Sequence, residues 1–258
     1  MSFRKRFAMT LCLVGTASAS LFWGTAAFGH SGRRLEIQVI DNQLFAQGYL
    51  STGVPDDGGG SPRPYYNALH DHWQNITSSV AIADLPGYDV YTPGPLTGFD
   101  LSLELLGASK WVGPPMMPPG GTIPNLVPLD PGEVITIEHN SVSIDTDGLG
   151  SLAIASGIPG GGLTDIDLLY AIDDNPAGVL HVLEWQLSTN APGVAPSASI
   201  YTILSPDGAN PMEKLHHASL YLEQHLGLVP EPASASLMLT GLALLGAGCW
   251  WRRQRSAC

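Results

Sequence analysis

The chain has 258 residues, of which 44 % are apolar and only 13 % charged, about half the ~25 % charge usual in soluble domains. Gly and Pro together supply 51 residues (30 and 21), which excludes a helical bundle or a coiled coil, because both need long runs free of them. The formal charge of −12 excludes nucleic acid as a partner, since phosphate binding needs a basic face.

Residues 1–29 have the layout of a secretory signal helix. Arg4, Lys5 and Arg6 form a positive start, an apolar stretch covers 7–22, and small residues follow at two cleavage positions, after Ala27 or after Gly29. Period-2 alternation of apolar and polar residues then predicts half-buried strands. Residues 35–39 and 43–46 make a hairpin around Asp41-Asn42. Residues 67–76 are given a helical turn. Residues 99–105 alternate cleanly. A second hairpin spans 134–145 around His139-Asn140-Ser141, and 151–155 follows the turn at Asp147-Gly148. In 179–187, His181, Leu183, Trp185 and Leu187 share one face; 199–204 comes next. A further helical turn is placed at 211–217, and 218–226 is assigned as the last strand. Long Gly- and Pro-rich stretches, 51–64, 113–131 and 157–162, join these elements. Eight or nine strands without a strong amphipathic helix predict an all-β body, an antiparallel β-sandwich or jelly roll, as one domain over 30–228.

The C-terminus, 229–258, has three parts. Pro230-Glu231-Pro232 breaks the chain, 19 uncharged residues (233–251) follow, and Arg252, Arg253 and Arg255 close it. The apolar part has the length of one transmembrane helix, with Trp250 and Trp251 at an interface and the arginines on the cytoplasmic side. This order of elements resembles the PEP-CTERM sorting signal over roughly a tenth of the chain. The resemblance implies an exosortase, a membrane-embedded cysteine protease-transpeptidase, as partner besides the secretion machinery. It makes Pro230, Glu231 and Pro232 the recognised residues, and a Gram-negative, polysaccharide-producing bacterium the host. It also implies an inner-membrane anchor before processing and a surface or extracellular location afterwards. The body is similar in organisation to the β-rich exported domains that precede such tails, including those that start with a Gly-His pair, as Gly29-His30 does here.

The cysteines fall at 12, 249 and 258, all in the two ends, so an exported body carries no disulfide. Five basic residues against twenty-two acids leave 30–228 at a formal −17, and all eight histidines lie there. Such a body attracts cations and repels anionic polysaccharide unless cations bridge the two. His70-Asp71-His72 puts two imidazoles on one face of an extended strand, within reach of one zinc or copper ion, and His216-His217 and His225 can add ligands from elsewhere. His30, if it begins the mature chain, offers a copper-chelating amine and imidazole. Asp145-Thr146-Asp147-Gly148 starts like a calcium loop but lacks the closing Glu, and Asp165, Asp167, Asp173 and Asp174 form a second acidic group; both read as turns first. Tyr65 and Tyr66, beside Trp73 and ahead of Tyr88 and Tyr91, are candidates for stacking on sugars. No GxSxG motif is present, and Glu104 with Glu138 would serve glycoside cleavage only if the fold set them about 5–10 Å apart. The sequence therefore predicts a non-enzymatic surface or matrix protein, with an exported metal-binding protein or metal-dependent enzyme as the alternative.

Overall fold

The computed structural model describes residues 33–50, 67–84, 86–117, 122–173, 177–208 and 212–227. The signal helix, His30, Tyr65, Tyr66, the Pro230-Glu231-Pro232 motif and its membrane segment lie outside the described residues. Among the described residues no helix is long and apolar enough to cross a membrane.

These residues are mostly β. In chain order the strands are β1 (Arg33–Ile40), β2 (Gln43–Leu50), β3 (Ala68–His72), β4 (Gln74–Asn75), β5 (Val80–Ala83), β6 (Gly87–Thr92), β7 (Leu101–Val112) and β8 (Leu126–Pro128). They continue as β9 (Ile135–His139), β10 (Val142–Asp145), β11 (Gly150–Ala155), β12 (Gly162–Ile166), β13 (Leu169–Asp173), β14 (Val179–Thr189) and β15 (Ile200–Ser205), and one helix, α1 (His216–Leu226), comes last. Three sheets result, in the orders β12-β6-β1-β2, β10-β9-β13-β5-β4 and β11-β7-β14-β15-β3, with β8 paired to β7.

The hairpins form where the turn chemistry asks for them. Asp41 and Asn42 take φ of 51° and 63°, and Asn140 and Ser141 take 48° and 65°. Both pairs make the two-residue turn whose twist matches the flanking strands. In β7 the alternation sends Leu101, Leu103 and Leu105 inward and leaves Glu104 exposed. A single core cluster takes Leu35 and Tyr88 from the first sheet, Ile135 and Tyr170 from the second, and Leu103 and Trp185 from the third. The three sheets thus bury one common interior.

The six-stranded sheet is covered on both faces. His181, Leu183 and Trp185 of β14 face the common core, while Leu180 and Val182 alternate to the other side. There they meet Leu215, Ala218 and Leu222, the last two from α1. This explains why the first five residues of β14 are all buried. It also overturns the strand expected at 218–226. The buried positions His216, Ala218, Ser219, Leu222 and Glu223 follow a 3.6-residue period. The alternation of Leu220 and Leu222 satisfied the wrong period. Residues 67–76, expected to hold a helical turn, instead form β3 and β4, because β15 offers Ala68 to His72 a parallel partner.

A buried cation ties the first sheet together. Arg34 is 4 % exposed. Its Nε donates to Asp89 Oδ1 at 2.7 Å, its Nη1 to Asp167 Oδ1 at 2.8 Å, and its Nη2 to Asp165 and to the Tyr88 carbonyl at 3.0 Å. Gly87 gives the guanidinium its room: a Cβ there would sit 2.7 Å from Nη1, and the surrounding carboxylates leave the arginine nowhere to retreat.

The shared core makes a simple stability contrast. Leu103→Ala should cost about 2–5 kcal/mol, the usual range for emptying a packed leucine site. Glu104→Ala, on the exposed side of the same strand, should stay within about 0.5 kcal/mol. Urea melts of the two variants check this; equal losses would mean the faces of β7 are assigned the wrong way round.

Candidate metal centre

The strand β3 pairs in parallel with β15, from Tyr201 opposite Ala68 to Ser205 opposite His72. Alternation along β3 sends Leu69 to the common core and Ala68 to the cluster under α1. His70 and His72 share the face of Ala68. The helix α1 packs against β3 and β15, and its first residue, His216, comes down beside them. One ring nitrogen from each of His70, His72 and His216 lies within 4.8 Å of the others. His70 and His216 are each only 3 % exposed, and His72 is half-buried.

The ring separations suit a shared ion. The centroids lie 5.5 Å apart for His70 and His72, 5.3 Å for His70 and His216, and 6.3 Å for His72 and His216. Three imidazoles on a tetrahedral ion with Zn–N of about 2.0–2.1 Å have centroids about 5.2 Å apart. Two pairs stand near that value, and the His72–His216 pair is about 1 Å wider.

Hydrogen bonds fix how two of the rings face. The Nδ1 of His70 lies 2.6 Å from Glu223 Oε1, and its backbone N–H donates to the same oxygen at 2.8 Å. A carboxylate accepts, so Nδ1 carries the proton in this bond. The Nδ1 of His72 meets Ser205 Oγ, and that hydroxyl donates to the Asp71 carbonyl at 3.3 Å. The hydroxyl thus holds the His72 ring against β15. An imidazole whose far nitrogen is held by a carboxylate or a carbonyl-bound hydroxyl is what metal sites use to orient their ligands.

The other candidate residues separate. Asp71 is displayed on the opposite face of β3, near Tyr170, whose hydroxyl pKa burial raises with a smaller contribution from the Asp71 charge. His217 and His225 are exposed. His217 meets the His216 ring edge, at 5.9 Å between centroids, and His225 stacks on Tyr221 at 6.2 Å. Trp73 and Tyr88 are fully buried and Trp185 is core, whereas Tyr91 is 52 % exposed. Asp145 accepts the N–H groups of Asp147 at 3.1 Å and Gly148 at 2.8 Å, which makes it a turn-forming residue. Asp165 and Asp167 pair with Arg34. A cavity of about 470 Å³ is lined by Asp84, Glu138, His139, Asp165 and Asp167 among others. Glu104 is not among its lining and sits on another sheet. Both nitrogens of His139 are used there: Nδ1 donates to the Asp167 carbonyl at 2.7 Å, and Nε2 takes the Asn140 amide at 2.8 Å.

The sequence did not single out Glu223 and Ser205. Helical spacing would have found the first: His216, Ser219 and Glu223 stand at i, i+3 and i+7 on one face of α1. Ser205 becomes a neighbour of His72 only through the parallel register.

A second histidine is buried without metal-like company. Trp73 Nε1–H donates to His181 Nδ1 at 3.1 Å, so Nε2–H donates to Glu133 Oε1 at 2.9 Å. Lys110 binds the other oxygen of Glu133, and Asp130 Oδ2 at 2.7 Å. Burial pushes the His181 imidazole below its usual value, against the opposing pull of Glu133. Burial would raise Glu133, but hydrogen bonds from Lys110, the Asp130 N–H and His181 outweigh it and hold the carboxyl low.

No protein-family model matches the chain, and no curated protein matches it in sequence.

The His181 chain carries a pH signature. A histidine kept neutral in the fold takes a proton on unfolding near pH ~6.5. Its contribution is therefore complete above that pH and declines as pH falls below it. Urea melts between pH 7.5 and 5 should lose stability towards acid, and His181→Gln should flatten that slope. An unchanged slope in the variant would assign the acid sensitivity to other groups.

Proposed function

We propose that this chain is an exported, exosortase-sorted surface or matrix protein, and that its body is a β-sandwich module binding one transition-metal ion through His70, His72 and His216. The observation that carries the metal reading is the convergence of the rings. One ring nitrogen from each of His70, His72 and His216 lies within 4.8 Å of the others, and Glu223 and Ser205 hold the His70 and His72 rings in place. An all-imidazole donor set favours zinc or copper over calcium, which takes oxygen ligands. The acidic body, at −17 over 30–228, raises the local concentration of cations. The sandwich assignment draws support from a core shared by all three sheets.

The sorting half rests on the two ends of the sequence, the basic-apolar start and the Pro230-Glu231-Pro232, apolar and arginine-rich tail. The pair Glu104 and Glu138 lends no support to a glycosidase reading, since only Glu138 lines the cavity.

Two measurements test the halves separately. The full chain, purified without a histidine tag and supplied with zinc or copper, should hold about one ion per chain by elemental analysis, and His70→Ala/His72→Ala should hold none. Metal at background in the unaltered chain would sink the metal half. Glu231→Ala, expressed in an exosortase-bearing host, should keep the mass of the uncleaved tail and stay in the membrane fraction. Normal release of that variant would remove the sorting half.

A further inference from the structure

The three histidines are divided between two elements. His70 and His72 belong to β3, whereas His216 opens α1. We propose that the ion is a clasp that docks α1 on the six-stranded sheet, a structural crosslink in a body whose residues 30–228 contain no cysteine; the proposal rests on the metal reading of this site.

The helix is short, and its N-terminal turn lacks the usual caps. It is 11 residues long, below the ~12–15 at which an isolated helix becomes even marginal in water. Its N-terminus has no side-chain cap and no acidic residue in the first turn, so the N–H groups and positive dipole end go without the usual carboxylate or hydroxyl. The residue at the cap position is Leu215, held at φ 52°, a conformation that a bulky side chain adopts only under constraint. Its apolar contact is made by Leu215, Ala218 and Leu222, with Tyr221 and Leu226 alongside, on Ala68, Leu180, Val182, Ile203 and Trp111. Near the other end Glu223 binds His70, and Tyr221 donates to the Thr122 carbonyl.

An ion on His70, His72 and His216 pins the weak N-terminal turn directly. It also strengthens the Glu223 link, because a metal on Nε2 of His70 makes Nδ1–H a better donor to the carboxylate. The crosslink spans roughly 140 residues of chain, a separation at which closure removes substantial entropy from the opened state. These are the conditions under which exported domains otherwise use a disulfide.

Hydrogen exchange on the full chain decides the matter. With zinc at about a thousand times its dissociation constant, any opening that releases the ion is suppressed about a thousandfold. The amides of α1 should slow by that factor relative to the chelator-treated chain. In His216→Ala they should stay fast with or without zinc, while the amides of β7 and β14 remain protected and report an intact sheet. If His216→Ala does not fold, the zinc and chelator comparison on the unaltered chain carries the test alone. Zinc that binds by calorimetry yet leaves α1 exchange unchanged would overturn the clasp and leave the site standing. Absence of zinc binding would overturn the site itself.

Discussion

The parallel pairing of β3 with β15 is the constraint on which the candidate site depends. It puts a short segment, Ala68–His72, on the edge of the six-stranded sheet with a fixed choice of faces. Leu69 goes to the common core, and Ala68, His70 and His72 go beneath the helix. A register shift of one residue would reverse every one of these assignments. The same register sets Ser205 opposite His72 and so supplies the hydroxyl that orients that imidazole. The edge strand, usually a liability because its N–H groups are open to other chains, is here covered by α1, and Glu223 receives the N–H of His70.

The body manages without disulfides by burying polar groups in closed networks. Arg34 is surrounded by three carboxylates and two carbonyls. The chain Trp73, His181, Glu133, Lys110 and Asp130 runs from the core to the surface with each donor matched to an acceptor. Networks of this kind specify one arrangement, because any alternative packing leaves a buried charge unpaired, and that costs about 3–5 kcal/mol. They also account for strands the sequence hid. In β6 both faces are buried, Tyr88 in the common core and Asp89 against Arg34 on the other side, so the strand shows no apolar alternation.

The proposed centre differs from these networks in one respect. His181 and His139 each bond protein partners through both nitrogens, whereas His70, His72 and His216 bring one ring nitrogen each within 4.8 Å of the others. Three imidazoles converging from two elements is the arrangement a tetrahedral ion takes.

The sequence by itself determined the β class, both hairpins with their turns, the alternating face of β7, and the pairing of His70 with His72, because each depends on residues within a few positions of one another. The reading of the two ends rests on linear composition in the same way. It misassigned α1, since HHASLYLEQHL fits a period of 2 as well as one of 3.6 over so short a stretch, and only a sheet face to cover could choose between them. The third histidine, and the partners Glu223 and Ser205 that orient the other two, come from segments more than a hundred residues away. Tertiary structure alone decided those, because a metal centre is defined by distances in space, and the crossing of β3 beneath α1 leaves no mark in the local pattern of either.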